Sequence, residues 1–332
     1  MSWSTLIWAC LIGTAPTFIS ATLAVAALPS YVLQFAPLSH LYSNETYFPT
    51  DVADHLTHVQ PEINMSAIAD SVTFSTISSL ASDVYLTSKD DIENLPSWPN
   101  GVKPDTTGLT SAPATIIAVQ KPGGIVDAFY FYFYSYNYCS GANVRYLAQY
   151  LDIQFGDHVG DWEHSMVRFV NGVPQDIYLS AHDGGFAYTY GALPSQGGRA
   201  VTYVANGTHA NYATPGKHQH DLPLLDDYTD AGPLWDVTLN FRGYWFDNST
   251  QTFTVANGAN VGGEEEASEG VGWLEFAGHW GDQQYDLLFE GQYCVTATEC
   301  KYVDGPTGPI AKNLGRTAVC QNESSCTVQT SV

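Results

Sequence analysis

Residues Val126-Asp-Ala-Phe-Tyr-Phe-Tyr-Phe-Tyr-Ser-Tyr-Asn137 place aromatic rings at consecutive positions for most of a strand's length. Side chains of an extended chain alternate between two faces, and Phe and Tyr favour pleated, half-buried surfaces. A strand that is aromatic on both faces belongs in the middle of a sheet covered on two sides. The runs that follow have the same character. Glu163-His-Ser-Met-Val-Arg-Phe-Val170 leads through Asn171-Gly172 into Gln175-Asp-Ile-Tyr-Leu-Ser-Ala181, and Asn-Gly between β-rich runs is a strong hairpin signal, with Val173-Pro174 lengthening the loop. Further strands are expected at 200–205, 235–246 and 252–256. With Gly-rich turns between the runs and no internal repeat, the pattern predicts a mainly β chain, an antiparallel β-sandwich with short helices and long loops. Upstream, Tyr47-Phe-Pro-Thr-Asp-Val-Ala-Asp-His-Leu56 reads as a turn into a short helix, capped by Thr50 or Asp51, with Val52, His55 and Leu56 on one face.

The N-terminus is apolar and uncharged up to Glu45, and Ala24-Val25-Ala26 offers a small-x-small cleavage site. Residues 1–26 read as a signal peptide. An uncleaved anchor would use a similar stretch, but Gly13 and Pro16 interrupt this one and it falls short of the ~20 apolar residues a spanning helix needs. Asn-x-Ser/Thr sequons at Asn44, Asn64, Asn206, Asn248 and Asn322 agree with a glycosylated secretory chain, although Asn206-Gly207 would also suit a hairpin turn. Loss of Cys10 leaves Cys139, Cys294, Cys300, Cys320 and Cys326. The close pairs Cys294/Cys300 and Cys320/Cys326 suggest two small disulfide loops, and the odd thiol stays unpaired or bridges chains. These readings divide the chain into a β-sandwich domain over 27–290 and a Cys-containing tail over 291–332, packed on it or extending from it. The tail looks too polar to pack well without its disulfides.

Lys and Arg number 11 against 34 Asp and Glu, a formal charge of −23. Such a chain repels phosphate backbones, which excludes nucleic acid as a partner. Much of the acidity, including Glu264–Glu266 and Glu269, reads as a solubilising surface.

The densest chemistry is Gly156-Asp-His158-Val-Gly-Asp161-Trp-Glu163-His164, at the entry to a strand. Alternation puts Asp161 and Glu163 on one face and Trp162 and His164 on the other. Two carboxylates on one face, with His158 three residues upstream of Asp161, can converge on a hard divalent cation, Ca²⁺, Mg²⁺ or Mn²⁺. Without a positive partner their repulsion would raise one pKa. Ser180-Ala-His182-Asp183-Gly-Gly ends the partner strand, and Asn206-Gly-Thr-His209-Ala-Asn211 follows a later one. If strand ends meet at one rim, His182, Asp183, His209 and Asn211 would line the same site; taken singly, each His could as well cap a turn.

Tyr130-Phe-Tyr-Phe-Tyr-Ser-Tyr-Asn137, His158-Val-Gly-Asp-Trp-Glu-His164, Ser180-Ala-His-Asp-Gly-Gly185 and Asn206-Gly-Thr-His-Ala-Asn-Tyr-Ala-Thr-Pro-Gly216 resemble, in the same order, the Vps62-related proteins. The resemblance spans roughly residues 30–290 and implies a link to vacuolar sorting without a molecular activity. More distantly, His158-Val-Gly-Asp161-Trp-Glu163 is similar to the Gly-His-Arg-His-Asp-Trp-Glu signature of the Nep1-like necrosis-inducing proteins. That likeness implies a secreted β-sandwich in which His158, Asp161 and Glu163 surround a divalent cation near a sphingolipid head group. The sequence departs from the signature at Asp157, Val159 and Gly160.

These observations lead to the expectation of a secreted or vacuolar-lumen binding module. Its cation site would engage a glycan or glycolipid head group, with peripheral association at a membrane surface. The rival is a metal-assisted hydrolase or lyase acting on a carbohydrate or ester, with His164, His182 or His209 as general base.

Overall fold

The computed structural model describes residues 26–139, 154–219, 226–260, 270–294 and 300–332. The expected signal peptide and the acidic run at 264–269 therefore lie outside the described residues, apart from Ala26. An eight-stranded sheet organises the rest. In spatial order its strands are Thr252–Asn260, Phe241–Asp247, Ala114–Lys121, Ile125–Asn137, His158–Val170, Val173–Ala181, Gly184–Thr189 and Val328–Gln329. The aromatic strand thus runs through the middle, as its two-sided pattern requires.

Alternation along that strand sorts its rings by chemistry. Phe129, Phe131 and Phe133 enter one core with Trp162, Met166, Trp273 and Trp280. Tyr130, Tyr132 and Tyr134 enter the other with Val167, Phe169 and Trp235. A buried tyrosine hydroxyl needs a partner, and two of the three have one: Tyr130 donates to Val32 O at 2.6 Å and Tyr132 bonds Ser165 Oγ at 2.7 Å. Phenylalanine makes no such demand, so its face is packed by aromatic rings and aliphatic side chains such as Leu56, Ile117 and Met166. Burying each ring contributes roughly 1.5–3 kcal/mol.

The tyrosine face is covered by the helix Ser30–Gln34 and a second sheet that includes Leu38–His40, Arg199–Val204 and Leu234–Trp235, giving the sheet-on-sheet contact of a sandwich. The phenylalanine face is covered by the helix Val52–His58, a three-stranded sheet that includes Val59–Ile63 and Tyr85–Ser88, and Trp273, Phe276 and Trp280. The short helix is built as its sequence predicts. Asp51 caps it by accepting the Ala53 N–H at 2.9 Å, and Val52, His55 and Leu56 are buried.

Three details differ from expectation. The sheets are mixed: Phe241–Asp247 runs parallel to Ala114–Lys121, Val328–Gln329 to Gly184–Thr189, and Leu38–His40 to Arg199–Val204. Each parallel pair joins segments far apart in sequence, which local pattern does not encode. The single strand expected at 235–246 is two, Leu234–Trp235 and Phe241–Asp247, in different sheets. Asp236 separates them: Oδ1 accepts the Thr238 N–H and hydroxyl in a tight turn, and the carboxylate pairs with Arg199. Finally, the Asn171-Gly172 loop is only two residues long, with both at positive φ and Val170 opposite Val173. Pro174 is accommodated where the register shifts between Arg168 and Phe169, a bulge that suits a residue without an N–H.

The expected disulfides Cys294–Cys300 and Cys320–Cys326 are both present, and half-buried Cys139 belongs to neither. The tail packs far better than its polarity suggests. Tyr302, Leu314, Val319 and Cys320 join the phenylalanine-face core, and Arg316 is 1 % exposed. The sequons divide by environment. Asn44, Asn64, Asn248 and Asn322 are exposed. Asn206 is half-buried in a turn whose Thr208 is buried and donates to Asp227 Oδ1 at 2.7 Å. Peptide mapping of protein from a secretory host is therefore expected to find glycans at the four exposed sites and none at Asn206; a modified Asn206 would contradict this assignment.

Candidate functional site

The central sheet register fixes the orientation of the motif. Tyr134 lies opposite Asp161 and Tyr132 opposite Glu163, while Phe133 lies opposite Trp162 and Phe131 opposite His164. Asp161 and Glu163 therefore share the tyrosine face, as alternation predicts. Between Val159 and Asp161, Gly160 takes φ +68°, and a Cβ there would lie 2.1 Å from the Trp280 carbonyl oxygen. Only glycine permits that approach, which turns the chain into the strand directly before the carboxylates.

The pairing of this strand with Val173–Ala181 stops at Ser165 and Leu179. Beyond it, Ser180 Oγ takes over: it accepts the His164 N–H at 2.7 Å and donates to Glu163 Oε2. At the strands' end lies a cavity of about 350 Å³, whose walls include His158, Asp161, Glu163, His182, Asp183 and Lys312. His182 follows Ala181 at φ +55°, and His209 has φ +56°, so two of the seven non-glycine residues at positive φ among those described are site histidines. Such backbone costs about 1–2 kcal/mol for a residue with a Cβ, and it recurs where geometry serves a site.

Charge compensation is internal. His209 is fully buried and stacked on Tyr134 at 3.6 Å. Its Nδ1–H donates to Asp161 Oδ2 and its Nε2–H to Tyr47 O, both at 2.9 Å. A ring donating from both nitrogens is an imidazolium; burial opposes that charge, but Asp161 and the carbonyl raise the pKa overall. His182 repeats the arrangement. Its Nε2–H donates to Asp227 Oδ2 at 2.7 Å, and against the cost of burial this raises its pKa. Burial pushes Asp227 upward, yet His182, Tyr212 and Thr208 together hold it at about 2. Glu163 is the exception. Burial, then the neighbouring Asp161, push its pKa up to about 8 despite the Ser180 hydroxyl, so it holds a proton at neutral pH.

His158 is neutral, its pKa lowered by burial. Its Nδ1–H donates to Gly160 O at 2.6 Å, which leaves the lone pair on Nε2. Asp161 Oδ1 and Glu163 Oε1 likewise make no hydrogen bond among the described residues, so each candidate ligand has one atom anchored by the protein and one left over. This is how outer-shell partners orient metal ligands. No three His, Cys, Asp or Glu side chains among the described residues are grouped to hold a metal ion as they stand.

Of the other candidates, His182 and Asp183 line the cavity, and His209 lies behind it as the counter-charge of Asp161. His164 faces the opposite core. Its ring lies against Phe131 and Tyr178, and Nε2 accepts the Arg316 Nη2–H at 3.3 Å, so it does not reach the cavity. Asn211 is fully buried and donates to His209 O, supporting the turn rather than lining the cavity. Sequence reasoning missed Asp227, Thr208, Asp304 and Lys312. Asp304 and Lys312 come from the tail, and nothing in their local sequence marks them.

The family described as vacuolar protein sorting-associated protein 62 matches residues 96–291. Two Saccharomyces cerevisiae proteins are similar along most of their length. One is a putative vacuolar protein sorting-associated protein, TDA6, 38 % identical over 336 residues and covering 88 % of this chain and 68 % of that protein. The other is vacuolar protein sorting-associated protein 62, 38 % identical over 337 residues, with coverages of 89 % and 68 %. Among solved structures, necrosis and ethylene inducing protein 2, from the causal agent of cocoa's witches' broom disease, matches with TM-score 0.30 and 14 % identity, covering 57 % of this chain and 70 % of that one. NLPPya in complex with mannosamine matches with TM-score 0.28 and 12 % identity, covering 69 % and 81 %. On the extent of the sequence match, this chain belongs to the Vps62 (vacuolar protein sorting-associated protein 62) family.

Proposed function

We propose that the cavity bounded by His158, Asp161, Glu163, His182 and Lys312 binds the polar head group of a glycan or glycolipid, with a divalent cation completing the site. The observation that carries this reading is the convergence of carboxylates, imidazoles and one ammonium on a single cavity of about 350 Å³ at the rim of a sandwich. Alternating acceptors and donors suit sugar hydroxyls, and the volume lies at the lower end of the range for small-ligand pockets. The family's vacuolar-sorting relatives favour the vacuolar or endomembrane lumen as the place of action, with secretion as the rival destination and contact with a membrane surface through the lipid-borne sugar.

The donor chemistry fits a cation. His158 Nε2, Asp161 Oδ1 and Glu163 Oε1 would hold it, and two carboxylates with one imidazole favour Ca²⁺, Mg²⁺ or Mn²⁺. When bound, it would supply positive charge to orient hydroxyl oxygens. Its binding competes with the proton on Glu163, which fixes the pH dependence. A folded-state pKa raised from 4.5 to about 8 contributes stability that is full below the unfolded value and lost as pH rises through about 8. In chelator the melting temperature is therefore expected to fall between pH 5 and 9, and Glu163→Gln should flatten that fall. The melting shift on adding Ca²⁺, Mg²⁺ or Mn²⁺ should be larger at pH 8.5 than at pH 5.5, and Asp161→Asn should abolish it. No shift with any of the three ions at pH 8.5 would remove the cation from the proposal. Glycan-array binding with and without chelator tests the ligand class.

A second reading rests on His182. Oriented by Asp227 and facing the cavity that Glu163 enters with a proton, it has the placement of one member of an acid–base pair in a hydrolase or lyase. Release of product from the glycans that bind would favour that reading over simple recognition.

A further inference from the structure

Trp162 lines the cavity, although its ring belongs to the phenylalanine-face core, with centroids 4.6 Å from Phe133 and 5.5 Å from Trp280. What it turns toward the cavity is main chain. Phe133, opposite it on the central strand, directs its carbonyl outward to accept the Thr50 N–H at 2.9 Å, so the main-chain bonds between the two strands run through Tyr132–Glu163 and Tyr134–Asp161. The N–H and C=O of residues 162 and 164 therefore face the other way, toward Val173–Ala181. At His164 that edge is occupied, because Ser180 Oγ accepts the N–H at 2.7 Å. One step further, Val173–Ala181 has ended in the two-residue turn His182-Asp183. The N–H and C=O of Trp162 thus meet the cavity without a partner among the described residues.

We propose that this single residue of open strand edge binds two adjacent hydroxyls of a sugar ring, so that the ligand is a glycan with a free vicinal diol. The proposal rests on the glycan reading of the cavity and names the part of the glycan that is recognised.

The N–H and C=O of one extended residue point the same way, side by side, and their complement is an acceptor next to a donor. Adjacent gauche hydroxyls on a pyranose ring supply it: one oxygen accepts the N–H, and its neighbour's O–H donates to the carbonyl. Trans-diaxial hydroxyls point apart. A lone amide group fails as well, since its N–H and C=O point in opposite directions. A peptide strand has the right pair on each residue, but it binds through every second residue of an edge. Here the positions on both sides of Trp162 are closed, His164 N–H by Ser180 Oγ and Gly160 O by the His158 Nδ1–H at 2.6 Å. One open residue is too short for a strand and matches a diol. A ligand that leaves either main-chain group unpaired in the closed complex is selected against.

Asp161-Trp162 is the only Asp-Trp pair in the chain and His279-Trp280 the only His-Trp pair, so ¹³C-carbonyl labelling of Asp and His with ¹⁵N labelling of Trp isolates both amides by NMR without a substitution. Trp280 is the reference, its N–H donating to Pro306 O at 2.8 Å. In the free protein the Trp162 amide is expected to exchange with solvent at least about tenfold faster than that of Trp280. Calorimetric titration of methyl glucosides, mannosides and galactosides, with Ca²⁺ or Mg²⁺ supplied, identifies a binding sugar. At saturation that sugar should slow the Trp162 amide at least about tenfold and leave Trp280 unchanged. Its monodeoxy analogues lacking either member of one adjacent hydroxyl pair should bind about tenfold or more weakly. A Trp162 amide as slow as Trp280 in the free protein, one unchanged by a sugar that binds, or deoxy analogues that all bind like the parent would overturn the main-chain site and leave the glycan reading of the cavity intact. Absence of binding by every sugar overturns both.

Discussion

Asp127→Ala is expected to destabilise the chain by about 3–5 kcal/mol, the loss typical of breaking a buried ion pair from one side. Asp127 is wholly buried on the central strand, opposite Arg168. It accepts Arg168 Nε at 2.8 Å and Nη2 at 2.7 Å, and it also pairs with Lys121. The two cations in turn hold the tail by its backbone. Lys121 donates to Arg316 O, and Arg168 donates to Thr317 O at 2.7 Å and Ala318 O at 3.2 Å. Removing the carboxylate leaves two poorly hydrated cations adjacent to each other. The same stretch carries Arg316, whose guanidinium lies 4.8 Å from the Phe129 ring centroid and 4.7 Å from that of Tyr178, and it follows closely on Lys312 in the cavity wall. Loss of Asp127 should therefore show as early proteolytic cleavage within 300–332 and as weaker ligand binding, alongside the shift in a urea melt. Asp70→Ala, on the surface, should change stability by no more than about 0.5 kcal/mol. A loss below about 1 kcal/mol for Asp127→Ala would mean that the tail is held by its apolar contacts alone.

Gly160→Val is expected to cost roughly 2–5 kcal/mol, combining about 1–2 for a side chain in left-handed backbone with about 1–3 for forced overpacking. The overlap is with backbone, the Trp280 carbonyl at 2.1 Å from the added Cβ, so no side-chain rotation relieves it. Trp280 is itself fully buried against Phe133 and Trp162, and displacing it disturbs the whole aromatic face. Because Gly160 directly precedes Asp161, the same strain moves the cavity's carboxylates. Circular dichroism and thermal melts measure the first effect. Loss of the cation-induced melting shift measures the second. A variant with wild-type melting and wild-type cation response would show that the turn is not needed.

The aromatic strand, the Asn171-Gly172 hairpin, the capped helix at Val52 and the shared face of Asp161 and Glu163 were all legible in the sequence. Each depends on contacts between residues close in the chain, where backbone periodicity and turn chemistry leave little choice. The exclusion of His164 from the face of Asp161 and Glu163 was legible for the same reason, since one step along a strand is a change of face. What the carboxylates do with their charge was decided elsewhere. His209, by sequence a cavity-lining residue and candidate general base, is the buried cation beside Asp161, because the turn after Arg199–Val204 carries it behind the strand. Asp227 reaches His182 across 45 residues, and Lys312 enters the cavity because the tail is fastened against the sheet, through Lys121 and Arg168 beside Asp127 and through the burial of Leu314 and Val319. Sequence by itself determined the strands, their faces and the residue types at the rim. The parallel pairings, the packing of a polar tail and the balance of charge in the cavity depend on which distant segments meet, and only the tertiary structure decides that.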